Sequence, residues 1–214
     1  MKISIIVTDP GHPVVPFIHK WMLLNPNYEV SLVNDIKELP NHGDILFLIS
    51  CHDLIRSEVR NGYRYSLVIH ASDLPSGKGW SPHIWKIIDG KNRIPLSLIS
   101  AEDSIDSGDV WRKECVEIEE TDLFSDINRK FFLAEIKMID WACKNIKDSS
   151  PIKQTGKESY FRRRLPKDSE LDLDKTIREQ FNLMRVCDPN RYPAYIVVNN
   201  KKIKIILESY DYER

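Results

Sequence analysis

The sequence lacks the features that would assign it quickly. No apolar run approaches the roughly 20 residues that a membrane-spanning helix needs; the apolar start at residues 3–7 stops at Asp9 and Pro10, so no signal peptide is visible. The four cysteines, Cys51, Cys115, Cys143 and Cys187, lie far apart and form no C-x-x-C pair. That excludes a thiolate zinc motif or a dithiol redox motif and leaves no convincing metal-ligand cluster. An excess of charge is missing too. Lys and Arg total 31 against 32 for Asp and Glu, a net of −1, so there is no overall basic footprint for nucleic acid. Neither G-x-G-x-x-G nor G-x-x-x-x-G-K follows the first strand, where the turn reads DPGHP. We expect a cytoplasmic protein with reduced thiols, no membrane contact and no nucleic-acid partner.

What is present is an ordinary globular composition, 42% hydrophobic and 29% charged over 214 residues. That is enough for one domain with a small appendage. Residues 3–9, 28–35, 43–50, 65–72, 94–100 and 109–118 read as strands. Residues 14–24, 53–62, 80–91 and 122–146 carry helical spacing, the last with Leu123, Ile127, Phe131, Ile136, Ile139 and Cys143 on or near one stripe. Alternation of strands and helices predicts an α/β fold with a mostly parallel sheet. After residue 147 the chain turns polar, with a helix expected over 171–187 and a hairpin over 194–209 bent at Asn199-Asn200. We place a catalytic domain at 1–147 and a small C-terminal α+β subdomain at 148–214.

In such sheets ligands bind beyond the carboxyl ends of the strands. His70 ends one predicted strand, and Ser100 ends another and opens the loop AEDSIDSGD. We expect the two loops to meet on one sheet edge. A histidine and a carboxylate brought together there, His70 and Asp106, would form an acid/base unit. Each residue alone is an ordinary loop or strand-end group.

The stretch HASDLPSGKGWSP (70–82), followed by SIDSGDV (104–110), resembles the folate-dependent formyltransferases. Their hallmark is Asn-x-His-x-Ser-Leu-Leu-Pro, then Arg-Gly and Pro, then Asp-x-Gly. His70, Ser72, Leu74-Pro75, Lys78-Gly79 and Pro82 match the first block; Asp106, Gly108 and Asp109 match the second. The upstream DILFLISCHDLIRSEV is similar to the strand and helix that precede this motif in the family. SYFRRRLPKDSELD (159–172) and NLMRVCDPNRYPAYIVV (182–198) resemble the C-terminal part of the sugar N-formyltransferases. The resemblance implies a Rossmann-like formyltransferase fold and N10-formyltetrahydrofolate as cofactor. It makes His70 and Asp106 catalytic. The cofactor would lie against Ser50, Cys51, His52, Leu54, Asp103 and Ser104, with the acceptor near Ser72, Lys78, Gly79, Trp80, Arg162, Arg164 and Arg185. The family asparagine two residues before the histidine is Val68 here. Either His70 carries the oxyanion largely alone, aided by a backbone N–H, or the chain is a binding module without turnover.

The short C-terminal part and the balanced charge argue against tRNA as acceptor. A nucleotide-linked amino sugar fits better, UDP-linked before dTDP-linked. The form HASDLP-x-G-x-GWSP resembles the enzymes of pseudaminic acid derivative pathways. That implies a UDP-4-amino-4,6-dideoxy-N-acetyl-hexosamine and a product for bacterial surface glycans. The hairpin edge KKIKIILES (201–209) is a candidate homodimer surface.

Overall fold

The computed structural model describes residues 1–210. In chain order the elements are β1 (Lys2–Ile6), α1 (Val15–Leu24), β2 (Glu29–Val33), β3 (Gly43–Leu48), α2 (Ser57–Arg60), β4 (Tyr63–His70), β5 (Lys78–Gly79), α3 (Pro82–Ile88), β6 (Arg93–Ser100), β7 (Val110–Glu117), α4 (Phe124–Asn145), β8 (Tyr160–Phe161), α5 (Ile177–Arg185), β9 (Ala194–Val198) and β10 (Lys201–Ile205). Among the described residues β1–β4, β6 and β7 form one sheet in the order β2-β1-β3-β4-β6-β7. The first four strands are parallel, and β6 and β7 run antiparallel to their neighbours. β1 and β3 read as continuous apolar runs because helices and loops cover both faces. One face carries Ile3, Ile5, Ile45, Phe47 and Leu67 against α1 and α4, whose contributions include Ile18, Trp21, Phe131 and Ile139. The other carries Ile6, Leu46 and Leu48 against Leu39 and Ile55.

The antiparallel course of β6 corrects one expectation. His70 pairs with Ser97, and Ser100 lies opposite Leu67. The loop after Ser100 therefore does not leave the same end of the sheet as His70. It meets His70 by doubling back: Ala101 donates to Ser66 O at 2.8 Å, Ser100 donates to Asp109 O at 2.9 Å, and β7 starts beside Ile99. Three helices are shorter than their spacing suggests, α3 keeping only Pro82–Ile88. Helix α2 keeps only Ser57–Arg60, and α5 starts at Ile177, where Thr176 and Glu179 form a capping box. The chain ahead of α5 is instead a turn closed on Asp172. Asn199 and Asn200 both take positive φ, 48° and 62°, as a two-residue hairpin turn requires.

The polar segment after α4 is not a loose connection. Ile152 exchanges two backbone hydrogen bonds with Val110, both 2.8 Å, and β8 pairs in parallel with β5. Beyond it, Leu171, Met184, Cys187 and Ala194 form a separate small core. Arg185 fixes that core to the main body. It is 4% exposed and donates to Glu119 O at 2.6 Å and to Asn182 Oδ1 at 2.9 Å.

Candidate active site

β4 delivers His70 as a buried residue, 8% exposed. Nε2 lies 2.8 Å from Gly77 O, and Nδ1 lies 3.5 Å from Asp106 Oδ1. Both ring nitrogens thus face acceptors, and only the doubly protonated ring offers a donor to each. Asp106 uses its second oxygen to accept the Gly79 N–H at 2.8 Å. Its backbone sits at φ 51°, a left-handed conformation that a non-glycine residue keeps only when neighbours hold it. Two glycines allow this closeness. A Cβ on Gly108 would stand 1.9 Å from Ser100 O, and one on Gly79, at φ 92°, would stand 2.4 Å from Phe161 O. At 3.5 Å the Nδ1–Oδ1 contact is long for a hydrogen bond, so Asp106 keeps lone-pair capacity for a further proton.

Around the expected cofactor segments, Val68, Cys51 and Ala101 pack on Leu46, Leu48 and Ile55. This is an apolar wall between loops 50–55 and 100–106. Ser50 accepts from Thr8 Oγ1 through its carbonyl, and His52 donates its backbone N–H to the same hydroxyl at 3.0 Å. Burial pushes the Cys51 thiol up to about 11, so it stands there as a small neutral group. Leu54 is exposed, as are Asp103 and Ser104. Asp103 is ion-paired with Arg60, whose guanidinium also holds Ala101 O. A cavity of about 530 Å³ opens beside these groups, lined in part by Arg60, Ser66, Ala101, Asp103 and Trp111. It lies at the start of β4, and His70 and Asp106 are not among its walls.

On the acceptor side the structure redistributes the expected contacts. Ser72 is fully buried, and its Oγ has no partner. Lys78 is 4% exposed, and its Nζ is 2.7 Å from Glu158 Oε1, so its charge is matched inside the chain and not offered to a ligand. Arg162 grips Asp168 with two 2.6 Å bonds and lies over Trp85; it holds the Asp168 carboxyl well below the usual carboxylate range. Arg164 turns inward to Asp168 O and Ser169 Oγ. Arg185 is committed to the subdomain junction described above. Trp80 is different. It is partly exposed, with His52 at 5.2 Å and the Arg163 guanidinium 4.8 Å over its ring. Arg163, the middle arginine of the basic run at 162–164, is the member whose head has no acid beside it among the described contacts.

Sequence reasoning passes over Gln154. Its Nε2 donates to Asp106 O at 2.9 Å and to Gly108 O at 2.8 Å. Nothing in a lone glutamine within a polar stretch signals such a role. Among the described residues no group of three or more His, Cys, Asp or Glu side chains is placed to hold a metal ion, and no helix is long and apolar enough to cross a membrane.

Comparison with known proteins narrows what this arrangement is. A family model described as formyl transferase matches residues 7–141. The methionyl-tRNA formyltransferase of Bacillus subtilis (strain 168) is 27% identical over 206 residues, covering 94% of this chain; the chain spans 64% of that relative's length. Among solved structures, a methionyl-tRNA formyltransferase from Clostridium thermocellum superposes with a TM-score of 0.83 at 23% identity, covering 99% of this chain and 94% of that one. A sugar N-formyltransferase from Shewanella sp FDAARGOS_354 gives a TM-score of 0.73 at 18% identity, covering 100% and 99%. The family match spans well over half of the sequence and takes in both members of the buried pair, and on that ground the chain belongs to the formyl transferase family.

Proposed function

We propose that the chain transfers a formyl group from N10-formyltetrahydrofolate to the amine of a nucleotide-linked amino sugar, with UDP-4-amino-4,6-dideoxy-N-acetyl-hexosamine as the preferred acceptor. The observation that carries the reading is the buried His70–Asp106 pair, held on matched backbone acceptors and donors. The neutral amine attacks the formyl carbon, and a C–N bond forms. His70, as imidazolium, stabilises the tetrahedral oxyanion by its positive charge, its N–H groups facing Gly77 O and Asp106. Asp106 takes the proton released by the amine, directly or through water. The bond to N10 of the folate then breaks, and N10 leaves with a proton, so the exchange balances. The apolar wall of Val68, Cys51 and Ala101 suits the flat pterin ring. With Val68 in place of an amide, the loss of one oxyanion donor slows turnover by about 10²–10³ without abolishing it.

The acceptor reading is supported by the end-to-end likeness to the Shewanella enzyme, by the balanced charge and by the resemblance of residues 159–198 to sugar enzymes. Arg163 over Trp80, beside His52, is the pair we assign to the acceptor's phosphates. The identity to methionyl-tRNA formyltransferases favours the second reading, in which tRNA is the acceptor. The enzymatic reading is tested with His70→Asn. Formyl transfer should be lost while N10-formyltetrahydrofolate affinity stays within about threefold of the parent. A parent protein that binds the donor but forms no product with any amine would make it a binding module.

A further inference from the structure

The segment between α4 and the C-terminal subdomain reaches Asp106 directly, through the Gln154 side chain, and His70 at one remove, through Gly77. At its start, Ile152 is clipped to Val110 at the beginning of β7. Two residues on, the Gln154 amide spans the strained turn, donating to the carbonyls of Asp106 and Gly108. Further along, Ser159 holds Gly77 twice, accepting its N–H at the carbonyl (3.1 Å) and at Oγ (2.9 Å); the same carbonyl takes the Lys78 N–H at 2.9 Å. The Gly77 carbonyl is the acceptor of His70 Nε2. Phe161 O then accepts the Trp80 N–H at 3.0 Å. One continuous stretch therefore fixes the Asp106 turn at one end and the His70 acceptor at the other.

We propose that residues 152–161 are a strap that sets the His70–Asp106 geometry, with Gln154 and Ser159 as positioning residues. The proposal rests on the reading of His70 and Asp106 as the reacting pair. Asp106 stays at φ 51° because its peptide and that of Gly108 are pinned from outside the loop. With the amide gone, the turn is free to relax, and the carboxylate moves relative to the ring. A displacement of about 1 Å in such a pair costs about 10²-fold in rate. Ser159 acts on the other nitrogen: without its hydroxyl, the Gly77 peptide loses one of two restraints, and the Nε2 acceptor loosens.

The test uses the full chain and Gln154→Met, which keeps length and removes the donor. Expected are a kcat lowered about 10- to 100-fold, a donor KM within about twofold, and a displaced titration of the His70 ring followed by NMR. Unchanged kcat and an unchanged His70 titration would overturn the proposal. A general loss of packing would lower Tm without moving the ring's titration, and that result too would count against it. Where Gln154→Met does not fold, Ser159→Ala carries the same readouts, because the backbone pairing of β5 with β8 remains. The NMR readout needs no acceptor. A displaced titration in a protein that forms no formylated product would leave the strap standing and sink the activity.

Discussion

His70 and Asp106 are withdrawn from water together, and each is held by a backbone group of the loop 77–79. Asp106→Asn keeps the shape and the Gly79 contact but removes the charge that faces the ring. Turnover should fall about 10²–10⁴-fold with the donor still bound; steady-state kinetics beside a donor titration checks it. A different side chain makes a pH prediction. Glu135 on α4 has a buried Oε2 with no partner, and burial pushes its carboxyl up to about 8. Between about pH 4.5 and 8 the folded chain holds a proton that the unfolded chain has released, so this group makes stability fall as pH rises through that window. His12 and His83, pushed down by burial to about 4 and about 3, act oppositely, lowering stability as pH falls below their ordinary value. The Glu135→Gln variant isolates the first effect. Its gain over the parent should be absent near pH 4.5 and reach on the order of 1–3 kcal/mol at pH 8, read by denaturant unfolding at both values. A gain that is the same at both would contradict the assignment. The buried pair of His70 and Asp106 was legible as residue types at motif spacing. The fate of each cation was not, because a sequence does not say which carboxylate a lysine or arginine meets. Lys78 found Glu158, eighty positions away.

The loop that carries Asp106 works because β6 and its return strand β7 leave no space at Gly108. Gly108→Ala should displace the whole turn. We expect lost activity and a Tm lowered by several degrees in a protein that still folds; circular dichroism with an activity assay decides it. Arg162 and Arg163 are neighbours in sequence with opposite expected effects. Arg162→Ala removes the partner of Asp168 and should lower Tm by a few degrees, leaving acceptor KM near that of the parent. Arg163→Ala should leave Tm within about two degrees and raise acceptor KM about tenfold. The reverse pattern would move the phosphate contact to Arg162. Strands and the long helix were readable because burial on both faces, or on one stripe, writes itself into the apolar period. The direction of β6 was not, since parallel and antiparallel strands share that signal, and the assumption of a common strand end failed there.

The molecule as a whole is built so that its polar connection does structural work. Composition drops after residue 147 because the strap spends its backbone on β5 and β7 rather than on a core of its own. The small cluster around Leu171 and Met184 is tied back through Arg185. With a net charge of −1 and few free cations at the site, acceptor binding should depend weakly on salt. One or two phosphate contacts predict a change of less than about tenfold in acceptor KM between 50 and 200 mM salt, against 10³-fold or more for a long polyanion. The most direct trial of the proposed activity mixes the purified protein with N10-formyltetrahydrofolate and a panel of UDP- and dTDP-linked 4-amino-4,6-dideoxy sugars, with methionyl-tRNA alongside, and weighs the products by mass spectrometry. A formylated UDP-linked sugar and unmodified methionyl-tRNA is the result expected here. Formyl-methionyl-tRNA with every sugar untouched would contradict it.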